Sequence, residues 1–274
     1  PGQGAHEAGL AIRSSFFAPN FDGLEITGSP GPGISATSGG AMQGSNWFLH
    51  NNSQDGLYID SSTVIVDGLH LTDNGQSGAH VYDSRYVTLT NLTAIGNGNL
   101  GLTDVEQAGL LFERSNDIET NSGDVTCNYC AVSNSAGIGV MVKDSVDLWL
   151  NHLTVEDNTP SYDPISIDNS GLTVGQQGGQ VNMHDIVVNT ERVGTDSGPA
   201  LRINRAAANI DLISLQGNHT GIIWNGDNNG NFPSSLSRAQ LSGTTCLLLT
   251  EHDIMTGIDN VVTCLLYTSD AADD

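Results

Sequence analysis

Gly56-Leu-Tyr-Ile-Asp-Ser61, Gly78-Ala-His-Val-Tyr-Asp-Ser84, Gly109-Leu-Leu-Phe-Glu-Arg-Ser115 and Gly139-Val-Met-Val-Lys-Asp-Ser145 share one pattern. A small residue precedes apolar, any, apolar, then a short polar step and a Ser. The residues that follow repeat as well. Val64-Ile-Val66 aligns with Val87-Thr-Leu89 and Leu148-Trp-Leu150, and Leu69-His-Leu71 with Leu92-Thr-Ala94 and Leu153-Thr-Val155. Each unit closes on an Asn, at 51, 74, 97, 134 and 158, with gaps of 23, 23, 37 and 24 residues.

A unit therefore holds three short alternating strands joined by polar turns. Such strands cannot bury their apolar face alone, so units must stack. Stacking at the ~4.8 Å strand spacing makes parallel sheets around a filled interior. The expected fold is all-β: a single-stranded, right-handed parallel β-helix of about 23 residues per coil with three parallel sheets. Leu57, Ile59, Ala79, Val81, Leu110, Phe112, Val140, Val142, Ile165 and Ile167 are expected to point inward. The Asn column is expected to hydrogen-bond from coil to coil and to the backbone of the turns.

Composition narrows the function. The chain has 274 residues, with 8 Lys+Arg against 31 Asp+Glu and a net charge of −23. Nucleic-acid binding through a basic surface is excluded, because phosphate contacts need cations in number. Lys143 is the sole lysine, which also argues against anionic membrane surfaces as partners. No run of about 18 apolar residues occurs, so no membrane insertion is expected. The acid excess fits a marine or otherwise saline habitat, where a hydrated anionic surface keeps a protein soluble. Residues 264–274 differ from the rest and resemble translated sequencing-adapter read-through at the end of a metagenomic gene fragment. They are set apart as a non-native tail. Residues 1–20 are expected to be the incomplete edge of a longer chain, residues 21–263 the β-helix, and further domains of that chain its partners.

The coil pattern resembles the pectin-lyase-like superfamily in its generic right-handed β-helix region form, over about Phe21 to Val262. That resemblance implies a family of polysaccharide lyases, glycoside hydrolases, epimerases, phage tailspikes and non-catalytic surface proteins. It does not choose among them. Leu148-Trp-Leu-Asn-His152 approaches the V-W-I-D-H box of pectate lyases, but Asn151 replaces the Asp and the arginine box is absent. Asn158-Thr159 leads into Pro160 rather than the polygalacturonase Asp, and Leu201-Arg-Ile-Asn204 lacks the Lys of the R-I-K box. Tyr162-Asp163-Pro164 approaches the D-P-H of alginate epimerases, with Ile165 in place of His.

Candidate binding residues lie where long insertions flank a compact coil: Lys143, Asp144, Asp147 and outward-facing Trp149, with Tyr162 and Asp163 on another insertion. Loops on a rigid scaffold are where function concentrates. A sugar ring could stack on Trp149; a covering loop is the alternative. A column through Asp60, Asp83, Arg114, Asp144, Asp168 and Asn204 reads as solvated, backbone-capping turns. Its sharper reading is a Ca²⁺ site formed by Asp60, Asp83, Asp144 and Asp168, since Ca²⁺ takes six to eight oxygens. No cofactor is required by this reading. His80 and Tyr58 face outward on adjacent coils and read as surface residues. No catalytic residue is singled out: with 31 acids, some pairs reach glycosidase spacing by chance. Cys127-x-x-Cys130 has no second such pair and no βαβ context, so zinc and thioredoxin-like roles are not expected. Free stacked thiols and a disulfide both remain open.

The expected function is a non-catalytic extracellular or cell-surface β-helix segment, a stalk or a binding face for polysaccharide or cell-surface glycan. The alternatives are an enzyme on a neutral or weakly charged glycan, and a tailspike-like fibre.

Overall fold

The structure is a computed structural model. It describes residues 8–15, 17–98, 107–114, 124–145, 147–156, 162–170, 180–189, 198–216, 220–225, 234–241, 247–250, 255–259 and 266–268. The chain winds into a parallel β-solenoid. A narrow sheet of 11 strands runs through Leu10–Arg13, Ile34–Thr37, Leu57–Asp60, Ala79–Tyr82, Leu110–Glu113, Val140–Lys143, Ile165–Asp168, Leu201–Asn204, Ile222–Asn225, Leu247–Thr250 and Leu266–Thr268. Its first strand lies within residues 1–20, and its last within the set-apart tail.

A broad sheet runs through Asn20–Asp22, Ala41–His50, Thr63–Thr72, Val87–Ile95, Val125–Ser133, Leu148–Glu156, Val181–Asn189, Ala208–Gln216, Ser234–Leu241 and Met255–Asp259. Glu25–Thr27 pairs beside Ala41–His50. The three expected sheets thus appear as three faces of two hydrogen-bonded sheets. Backbone pairing continues through the corner between the second and third faces, because that corner takes only one left-handed residue per coil. These residues are Asn46, Gly68, Asn91, Tyr129, His152, Asp185, Leu212 and Arg238, all at positive φ. The left-handed residue rotates the side-chain alternation, so Val66 and Leu69, three apart rather than two, both face the core. No helix among the described residues is long and apolar enough to cross a membrane.

All ten expected core residues are at most 1% exposed. They stack on their equivalents in the next coil, and each fully buried Val, Leu, Ile or Phe contributes roughly 1.5–3 kcal/mol. The small residue that opens each unit has a steric cause. A Cβ on Gly56 would sit 2.7 Å from the Gly78 carbonyl and 2.8 Å from Asn74 Nδ2; one on Gly78 would sit 2.6 Å from the Gly109 carbonyl.

The amide ladder exists, one residue away from part of its expected position. Asn52, Asn74 and Asn97 are buried and stacked. Asn74 Nδ2 donates to Leu49 O and to Asn97 Oδ1, both at 3.0 Å. Its Oδ1 accepts from Asn52 N at 3.2 Å and from Asn52 Nδ2 at 2.9 Å. Asn51 and Asn134 instead occupy the preceding left-handed corner, with Asp73 and Gly96. An Asn suits either position, so the alignment could not separate them. Asn158 lies outside the described residues.

Cys127 and Cys130 form a disulfide. Both are buried, and they replace the aliphatic pairs Leu89/Leu92 and Leu150/Leu153 of the neighbouring coils. A four-residue loop closed by a disulfide gains only about 2 kcal/mol in the chain-entropy account. Replacing both by Val is therefore expected to lower stability by no more than about 2 kcal/mol. A urea titration of the variant checks this, and a collapse of the fold would contradict it.

Candidate functional site

The outer face of the narrow sheet is a map of rows, one side chain per coil. Tyr58, His80, Leu111, Met141, Ser166 and Arg202 form one row. Asp60, Tyr82, Glu113, Lys143, Asp168 and Asn204 form the next. The corner after the strands carries Ser61, Asp83, Arg114, Asp144, Asn169 and Arg205. This corrects the acidic column read from the sequence. Asp60 and Asp168 are in the strand row, whereas Asp83 and Asp144 are in the corner row with Arg114 between them. The pairing of 57–62 with 79–84 is ungapped, so Ser62, not Ser61, aligns with Ser84; Ser62 N donates to Ser84 Oγ at 3.2 Å. Among the described residues, no three His, Cys, Asp or Glu side chains are grouped as a metal ion would need.

The sequence reading missed the depth of His80. Its ring meets Tyr58 edge to face at 5.2 Å. Nδ1 lies 3.8 Å from Asp55 Oδ2 and Nε2 lies 3.6 Å from Glu113 Oε2. These are ion-pair rather than hydrogen-bond separations. Burial opposes charge on the ring, but the two carboxylates outweigh it and raise the His80 pKa to about 9. Glu113 is lowered to about 2, first by His80 and, against burial, by Lys143, whose Nζ donates to Oε1 at 2.7 Å. Burial and the neighbouring acids Asp60 and Asp55 push the Tyr58 phenol upward. Asp55 comes from the turn before Leu57–Asp60 and is 2% exposed. Its Oδ1 accepts from Ser77 N at 2.9 Å. Further along, Asp163 accepts from Arg202 Nε at 2.6 Å, and Ala108, Leu111 and Met141 form a small apolar cluster. The face is thus largely self-neutralised: Lys143, Arg202 and His80 each face a carboxylate.

The six expected binding residues do not converge on one spot. Lys143 and Asp163 belong to the narrow face, with Tyr162 preceding Asp163. Asp144 and Asp147 are left-handed corner residues at φ 49° and 51°. Trp149 stands on the broad sheet, 42% exposed, whereas Trp47 and Trp224 are buried. Most of the insertions that flank this coil, 116–123, 171–179, 99–106, 157–161 and 190–197, lie outside the described residues.

Around Trp149 the broad sheet presents a neutral row: Thr88, Thr126, Trp149, Asn182, Asn209 and Ser235 are Cα partners on successive strands. Beside it run Thr90, Asn128 and Asn151, with Asn151 Nδ2 donating to Asn128 Oδ1 at 2.8 Å. Asn209 Nδ2 donates to Asn182 Oδ1 at 3.2 Å, and Ser235 Oγ to Asn209 Oδ1 at 3.1 Å. At the corner, Tyr129, 57% exposed, stacks on His152 with ring centroids 4.3 Å apart. The flanking charges are engaged: Asp185 with His152, and Asp211 with His184 and Arg238. Arg238 is the main cause that holds the Asp211 carboxyl well below its usual range. The arrangement offers an aromatic platform beside amide and hydroxyl groups, on a chain that is otherwise strongly anionic.

Stacked parallel coils with core ladders and loop-bearing corners define a right-handed parallel β-helix. A family model described as "Right handed beta helix region" matches residues 8–188, well over half of the chain, and the chain belongs to that family. No curated protein and no solved structure matches it.

Proposed function

We propose that this chain works outside the cell or at its surface, and that the outer face of the broad sheet recognises a neutral glycan. The observation that carries the reading is the exposed Trp149 in the middle of an uncharged row of Thr, Asn and Ser side chains. Indole faces stack on the C–H faces of sugar rings, and amides and hydroxyls exchange hydrogen bonds with sugar hydroxyls. A polyanion would be repelled by a net charge of −23. The Cys127–Cys130 disulfide supports an oxidising compartment. The test is a glycan-array screen with the intact chain and its Trp149→Ala variant. Saturable binding to neutral glycans, lost at least tenfold in the variant, is expected. Binding that survives the substitution would overturn the reading.

A polysaccharide-degrading enzyme is the second reading. It draws on the narrow face, where His80 and Glu113 have pKa values moved far from their usual ranges, as catalytic groups often do. New reducing ends or unsaturated products from the same glycans would favour it.

A further inference from the structure

We infer that the ligand of the broad sheet is an extended, unbranched, neutral polysaccharide lying along the solenoid axis and read about one sugar per coil; this rests on the glycan reading above. The row from Thr88 to Ser235 supplies one outward side chain on each of six consecutive strands. At the spacing of parallel strands it is about 24 Å long. One coil advances by nearly the length of one sugar ring in an extended glycan, so successive rings meet successive outward side chains coil after coil.

The row contains no charged residue. The nearest acids in the row beside it are occupied: Asp67 accepts from Asn91 Nδ2 at 2.6 Å, and Asp211 holds His184 and Arg238. The amide ladder leaves capacity for a ligand. The Asn151–Asn128 bond uses one N–H of Asn151 and the carbonyl of Asn128, which leaves the Asn128 amino group and the Asn151 carbonyl uncommitted, on half-buried residues near Trp149. A ligand lying across the coils would find far less. Along Leu148–Glu156 only Trp149 and Asn151 precede the left-handed corner at His152, where the face turns away. Length dependence therefore separates the two orientations.

The experiment uses the intact chain with cello-, xylo- and manno-oligosaccharides of two to eight sugars, and oligogalacturonates as charged probes. Calorimetry is expected to show affinity for at least one neutral series rising tenfold or more from dimer to hexamer, then levelling off. Asn209→Ala, two coils from Trp149, is expected to weaken the hexamer several-fold, and the loss is expected to shrink as the ligand is shortened to the dimer. A plateau at the dimer, with Trp149→Ala still abolishing binding, would overturn the axial inference and leave the glycan reading standing. Binding indifferent to Trp149, binding confined to oligogalacturonates, or no binding in any series would overturn both.

Discussion

Replacing Asn74 by Ala is expected to lower the stability of the solenoid by about 3–5 kcal/mol, several times the cost of an ordinary surface substitution. The side chain is fully buried and makes four hydrogen bonds to three residues on the two adjacent coils. Its loss strands the Leu49 carbonyl and the Asn52 amide groups where water does not reach. Each buried unsatisfied group costs about 1–3 kcal/mol. Asn74→Asp is expected to be worse at neutral pH than under mild acid. A carboxylate cannot donate to Leu49 O or Asn97 Oδ1, and its charge is buried beside both; the protonated form recovers one donor. The control is next door. Asn51 is exposed at φ 54°, a conformation glycine adopts freely, so Asn51→Gly is expected to cost only a few tenths of a kcal/mol. Urea midpoints of the variants check the ranking; equal losses at 51 and 74 would contradict the ladder.

His80 carries the second large effect, and it depends on pH. Its pKa is raised from 6.5 to about 9 in the folded chain. A raised pKa means that the folded state holds the proton more tightly than the unfolded state. The stabilisation is fully present below about pH 6.5 and is lost as pH rises through about 9. A shift of that size corresponds to roughly 3 kcal/mol. Glu113, lowered to about 2, works in the opposite direction: its contribution is present above the usual carboxylate range and disappears as pH falls toward 2. His80→Gln leaves Asp55, 2% exposed, facing no positive charge. The variant is expected to be destabilised by about 3 kcal/mol at pH 6. It should also lose most of the decline that the parent shows between pH 6.5 and 9. Melting curves across this range check it. Parallel pH profiles for parent and variant would contradict the ion-pair account, because the other histidines are common to both.

The repeat was legible because each inward side chain must match its neighbour one coil away, which writes the fold into spacing and apolar alternation. The Leu57, Val81 and Phe112 positions follow from that constraint alone. Corners are less legible. Tyr129, Leu212 and Arg238 adopt the same left-handed conformation as Gly68 and Asn91, held there by pairing on both sides rather than by propensity. Neither the merging of two faces into one sheet nor the one-residue offsets at Asn52 and Asp60 could be read from residue type. The candidate site divides along the same line. Trp149 was visible as an outward position in a regular strand. The Asp55–His80–Glu113 cluster was not, because an outward alternation says nothing about what the preceding turn lays over it. The neutral row emerges only once the strands are in register.

The three tryptophans make the central claim measurable without a label. Trp47 and Trp224 are at most 1% exposed and Trp149 is 42% exposed, so acrylamide quenching of the emission reports chiefly on Trp149. Quenching is to be measured on the intact chain, with and without a saturating neutral glycan taken from the array. If the broad face is the recognition surface, the ligand shields Trp149, the quenchable fraction falls, and the effect vanishes in Trp149→Ala. An unchanged quenchable fraction under saturation would place binding elsewhere on the solenoid and contradict the account.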